Sequence, residues 1–181
     1  MIFLQSTNKI RALVLTLAVS LLSMMASAQL PQIDGKRIGK AKLTVWGFNI
    51  YNASLYSESG EYQPSTNIDD KLTLVIDYKV NIDQRKLLEQ TDKLWKALNI
   101  SASKRRIWIE QLSLVWTSIK KKDRLVFFAS TQCFQHNGND IGCIDDPEFS
   151  EAFLDIWLSK KTEGVECGIV ILLLWKIVFS I

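Results

Sequence analysis

The chain has 181 residues, 48% of them hydrophobic, with 22 Lys and Arg against 19 Asp and Glu and a formal net charge of +3. So small an excess gives no electrostatic case for a nucleic-acid partner. Six tryptophans and eight phenylalanines argue against a disordered chain, because that much apolar surface, once buried, offsets the entropy of ordering the backbone.

The N-terminus follows the order of a secretory signal. Lys9 and Arg11 form a basic region, residues 12–25 are apolar and uncharged, and Ala26-Ser27-Ala28 supplies the small-x-small pattern of a cleavage site. The apolar run is shorter than the roughly 20 residues of a spanning helix, so cleavage before Gln29 is expected rather than retention as an anchor. The expected destination is the periplasm or the exterior. Loss of Lys9 and Arg11 takes the net charge from +3 to near +1. The remaining residues 29–181 are long enough for one domain, placed at 29–163 with an atypical tail over 164–181, and too short for two comfortable ones.

Asp34 to Gly39 is a Gly-punctuated stretch suited to an entry loop or an irregular edge. Residues 41–55, rich in β-branched and aromatic side chains, read as one long strand or two short ones bent at Gly47. Residues 58–70 form a loop, and 71–80 a strand with Leu72, Leu74, Ile76 and Tyr78 on one face. Asn81 then caps a helix, with Gln84 three residues on as the reciprocal partner of a capping box. Leu87, Leu88, Thr91, Leu94, Trp95 and Leu98 give that helix its apolar stripe. After a break at Asn99 and Ser101, a second helix is expected over 104–119, with Trp108, Leu112, Val115, Trp116 and Ile119 inward. The basic cluster Lys120-Lys121-Lys122 with Arg124 reads as a solvated turn.

Residues 123–134 return to strand. His136-Asn137-Gly138-Asn139 is a tight hairpin turn, since Asn-Gly tolerates the positive φ angles a type I′ turn requires, and 141–144 pairs back. Asp146 is expected to cap a third helix with Pro147 at its first position, followed by Phe149, Phe153, Ile156 and Trp157 at helical spacing. The order ββ–αα–ββ–α predicts an α+β domain, a largely antiparallel sheet covered on one side by helices.

Chemistry-bearing residues are sparse. The single histidine, His136, sits beside the turn and is expected to be exposed rather than catalytic. One His and three dispersed cysteines do not make a zinc site, no nucleophile–base set assembles, and Gly35 and Gly39 lack the third glycine and following helix of a phosphate loop. Asp145, Asp146 and Glu148 read as helix-capping groups. No metal or other cofactor is expected. In an exported protein Cys133 and Cys143 can pair across the hairpin, and this disulfide is favoured over free thiols, with Cys167 left over.

The stretch from Leu43 to Tyr56, LTVWGFNIYNASLY, resembles the opening strands of the bacterial chalcone isomerase-like proteins. Asp146-Pro147-Glu148-Phe149, followed by Phe153-Leu154-Asp155-Ile156-Trp157-Leu158, resembles that family's closing helix. Leu94-Trp95-Lys96-Ala97-Leu98 is similar even to plant chalcone isomerases. The likeness spans about Gly35 to Thr162. It implies an open-faced β-sandwich in which a large antiparallel sheet packs against helices and holds a ligand in the cleft between them.

Through the same resemblance the plant enzyme's strand threonine falls on Thr44 and its helix lysine on Lys86. The tyrosine three residues earlier falls on Asp83, the asparagine four residues later on Gln90, and the closing-helix Thr or Ser on Ile156. Arg37 is the nearest candidate for the enzyme's arginine. Cyclising a chalcone needs a stabilised phenolate and enolate in a water-poor cleft. An aspartate for the tyrosine and an isoleucine for the hydroxyl residue remove donors from such a cleft, which argues against that activity. Lys86 and Gln90 border the apolar stripe of their helix and are placed to hold a carboxylate at the mouth of a greasy cleft, as the family's plastid fatty-acid-binding branch implies.

Beyond Thr162 the chain departs from the family pattern. Residues 168–181 are nearly all apolar, and three readings compete: an extra core segment, a membrane or partner contact, and a shifted reading frame, which the abrupt change favours. Three functions follow from the sequence. The leading one is an exported, non-catalytic binding protein for a small amphipathic ligand such as a fatty acid, with Arg37, Thr44, Lys86 and Gln90 as binding residues. The rivals are an isomerase or intramolecular lyase using Thr44 and Lys86 with a bound water, and a structural partner in an envelope complex. Membrane contact is expected only through the tail, and the oligomeric state is left open.

Overall fold

The computed structural model describes residues 33–45, 47–60 and 71–159. The signal segment, Cys167 and the apolar tail lie outside them. Six strands form one antiparallel sheet in sequential order: β1 Lys36–Val45, β2 Phe48–Ser57, β3 Thr73–Tyr78, β4 Arg124–Phe128, β5 Cys133–His136 and β6 Asn139–Cys143. Helices α1 (Gln84–Ala97) and α2 (Ala102–Val115) connect β3 to β4, and α3 (Phe149–Leu158) follows β6. This is the α+β architecture expected from the sequence, an open sheet with helices on one face.

The two opening strands are a hairpin turning at Gly47, whose φ of +83° an L-residue adopts only with strain. Leu43 pairs with Tyr51 and Thr44 with Asn49, so Ile50 is an extra residue in β2. This bulge brings Ile50 and Tyr51 to the same side, where both line a cavity. The second hairpin turns through Asn137 and Gly138, at φ +53° and +84°, as the Asn-Gly pair predicts. Beyond its turn, Cys133 and Cys143 are cross-strand partners joined by a disulfide.

The core lies between the sheet's inner face and the helices. Leu55, Leu74, Phe127 and Phe134 form one cross-strand row, Ala53, Ile76 and Leu125 the next. They meet Trp95, Trp108, Leu112, Phe149 and Phe153, all nearly inaccessible. Phe149 and Phe153 stack at 5.6 Å, and Phe127 and Phe134 approach Phe153 edge-on at 4.7 and 5.4 Å. Two indoles are fastened: Trp95 Nε1 donates to the Ala152 carbonyl and Trp108 Nε1 to the Asp146 carboxylate, each at 2.9 Å.

Several boundaries differ from the sequence reading. Helix α1 is capped by Asp83, whose carboxylate accepts from the Arg85 amide at 3.0 Å. Asn81 and Ile82 stay extended because Ile82 forms an antiparallel bridge with Ile119. That bridge also ends α2 at Val115, leaving Trp116 and Ile119 buried outside the helix. Helix α3 starts at Phe149, and Asp146 closes the turn before it by accepting the Glu148 amide. In β3, Thr73 and Val75 are buried as well as the inward row, and Val75 pairs with the equally buried Val126 on the other face. His136 is not exposed: its side chain is 16% accessible and lies 2.8 Å from Asp123.

Candidate functional site

A cavity of about 90 Å³ lies where α1 and α3 pass over the inner face of β1–β3. Its walls are almost wholly apolar, among them Leu43, Ile50, Ile76, Leu87, Leu94 and Phe153. The stripe that makes α1 amphipathic is the stripe that lines it. Lys86 and Gln90, one turn apart on α1, belong to the same wall and are only partly exposed. Among the described residues Lys86 has no carboxylate within ion-pair reach. Asp83, three residues earlier, is engaged in capping the helix.

Three polar atoms around the cavity are buried without a hydrogen-bond partner among the described residues: Gln90 Oε1, Trp116 Nε1 and Trp157 Nε1. Each stranded group costs roughly 1–3 kcal/mol. Thr91, by contrast, is satisfied, its hydroxyl donating to the Leu87 carbonyl at 2.9 Å. Two tyrosines complete the wall. Tyr51 meets Trp157 edge-on at 5.2 Å and Tyr78 at 6.1 Å. Burial pushes the Tyr78 phenol well above its ordinary pKa, so it is a neutral group at any physiological pH.

Of the four binding residues read from the sequence, the fold brings two together at this cavity. Lys86 and Gln90 line it, and so does Ile156. Thr44 does not: it is exposed on β1, and strand alternation turns it away from Leu43, its inward neighbour. Arg37 is also exposed, at the far end of β1 opposite Tyr56. Trp95 is entirely core, whereas Trp116 and Trp157 are shared between core and cavity. The sequence places Tyr51, Tyr78 and Ile50 on strands but does not mark them as site residues. The bulge that admits Ile50 leaves no motif, and a tyrosine in a strand signals only a half-buried position.

The chalcone isomerase-like family profile matches residues 39–163, more than half of the chain and all the elements that build the cavity. The chain belongs to the chalcone isomerase-like family. A Haemophilus influenzae protein of uncharacterised function is 25% identical over 154 residues, covering 83% of this chain and 73% of that protein. Among solved structures, a fatty-acid binding protein of Arabidopsis thaliana superposes with a TM-score of 0.55 at 12% identity. The match covers 76% of this chain and 88% of that one, and it shows a shared chalcone isomerase-like fold. In this member of the family, the layer between sheet and helices holds a cavity with one cation and one amide on its α1 wall.

Proposed function

We propose that this protein is an exported, non-catalytic carrier of a small amphipathic molecule, such as a fatty acid, which it holds between sheet and helices. One observation carries the reading: an apolar cavity whose wall includes a cation, Lys86, with no ion-pair partner among the described residues. An apolar tail gains about 0.8 kcal/mol for each methylene it buries there, and Lys86, with the Gln90 Nε2 group as a neutral donor beside it, serves as anchor for a carboxylate. The similarity in fold to a fatty-acid binding protein supports the same ligand class. The isomerase alternative loses support, because the threonine it would use is on an exposed face away from the cavity.

The test is native mass spectrometry of the purified full chain, followed by titration with medium-chain fatty acids. The carrier reading expects a co-purified or added acid to be retained. It also expects Lys86→Ala to weaken carboxylate binding about tenfold, the effect of losing one charge-assisted hydrogen bond, while leaving the matching alcohol unaffected. A chain that takes up no amphipathic molecule refutes it.

A further inference from the structure

The cavity just described is short. A 150 Å³ cavity accommodates a benzene ring, so 90 Å³ holds only about four carbon atoms on the same scale. A second chamber of about 150 Å³ lies under the β1–β2 hairpin, against α3. It exists because the side chains facing α3 there are small: Gly39 and Ala41 on β1 and Ala53 on β2 stand opposite Leu154 and Leu158. It opens to solvent at Ala41 and Leu158, which are exposed. Trp157 lines both chambers.

We propose that the second chamber is the tail end of the same ligand site, and that Trp157 is a movable partition setting the chain length the protein accepts. The inference rests on the reading of the site as a binder of amphipathic chains. The two chambers together hold about ten carbon atoms on the benzene scale, before the space vacated by the indole is counted. A medium-length chain therefore fits only when Trp157 moves aside.

The ring is held by packing rather than by a hydrogen bond among the described residues. Its Nε1 makes no hydrogen bond among the described residues, unlike those of Trp95 and Trp108, which are tied to Ala152 and Asp146. Its one aromatic neighbour among the described residues is Tyr51, edge-on at 5.2 Å. It also stands at the last turn of α3, one residue before the helix ends at Leu158. Swinging it breaks no hydrogen bond, and an incoming chain replaces the ring contact that is lost.

Two substitutions act on the two chambers separately. A Cβ at Gly39 would meet only the Leu55 Cβ, at 3.7 Å, an ordinary contact, so Gly39→Leu fills the second chamber without touching the first. Trp157→Ala removes the partition. The experiment measures dissociation constants of the full chain for saturated acids of four to twelve carbons, and for the n-alkanols of the same lengths, by calorimetric titration.

The unmodified protein is expected to gain about fourfold in affinity per methylene up to roughly ten carbons on the benzene scale and then to level off. Gly39→Leu should match it at four carbons and gain little for longer chains, because the first chamber holds only about four carbon atoms on that scale. Trp157→Ala should raise the affinity for ten carbons relative to four by about tenfold, since the chain no longer displaces a ring. Long-chain gains that survive Gly39→Leu overturn the proposal, as does an unchanged ten-to-four ratio in Trp157→Ala. If Trp157→Ala does not fold by circular dichroism, Gly39→Leu decides alone. Alkanols that bind with this length profile while acids do not would sink the carboxylate anchor and keep the partition. Acids whose length profile ignores Gly39→Leu would do the reverse, and failure of both ligand series removes both readings.

Discussion

Tyr78 shows how one buried side chain ties the cavity to the pH behaviour of the fold. It is 5% exposed, and burial raises its pKa. A group whose folded pKa lies above its unfolded value contributes stability that is whole below the unfolded pKa. That contribution is lost as the pH rises, because the unfolded chain releases a proton that the folded chain keeps. For Tyr78 the loss starts near the ordinary phenol value of about 10, with a slope of up to about 1.4 kcal/mol per pH unit. Tyr78→Phe, which has no proton to lose, should flatten the fall by about that amount, measured by urea unfolding between about pH 9.5 and 11 on either side of that phenol value. Equal slopes in the two proteins would mean that the phenol reaches water. At this scale the sequence was legible where helical spacing governs, which is why Lys86 and Gln90 could be placed on one wall of α1. It was illegible where a neighbour distant in the chain decides. Nothing local marks His136 as the partner of Asp123, or Thr44 as facing out across a bulge.

Gln84 carries the same lesson to the scale of elements. The Asn-x-x-Gln pattern points to a capping box within α1, yet its side-chain amide reaches across to α2 and donates to the carbonyls of Ser113 and Trp116 at 2.8 and 2.7 Å. Those are carbonyls at the C-terminal end of α2 that lack a partner within the helix. The Gln84 backbone amide donates in turn to the Ser118 hydroxyl at 3.1 Å. One residue thus closes one helix and docks another on it, through partners some thirty positions away that no local pattern reveals. Gln84→Ala should cost about 1–2 kcal/mol in chemical denaturation, the worth of two partly exposed hydrogen bonds. Gln84→Glu should cost more at neutral pH, because a carboxylate has no proton to donate and would face two carbonyls. It should recover part of the loss when protonated at acid pH. If Glu were as well tolerated as Gln at neutral pH, the amide would be a spectator. The three helices and the antiparallel layer were readable because apolar periodicity is local. The order ββ–αα–ββ–α, however, carries four strands where the described residues form six, since 41–55 belongs to a hairpin and 123–134 divides into β4 and β5. The ends of the helices were not readable, because the Ile82–Ile119 bridge that trims α1 and α2 is a tertiary contact.

At the scale of the whole molecule, the sheet-on-helix layering follows from residues that alternate along strands and recur every third or fourth position along helices. A cavity leaves no comparable trace, because it is the small remainder after many large side chains have packed. Its position between the two layers has a thermodynamic consequence. Phe153 lines the cavity and also stacks on Phe149 and touches Phe127 and Phe134, so the ligand site and the aromatic core share a wall. A guest held there contacts both layers, and global unfolding, which separates them, must release it. A fatty acid at one hundred times its dissociation constant should therefore raise the unfolding free energy by about 2.7 kcal/mol. The urea midpoint should move with the slope of the transition unchanged, since the surface exposed on unfolding is the same. Hydrogen exchange should show the added protection in β2, β3, α1 and α3 together. Protection confined to one helix, with no shift in the midpoint, would mean that the molecule adheres to an outer surface and that the space between the layers stays unused.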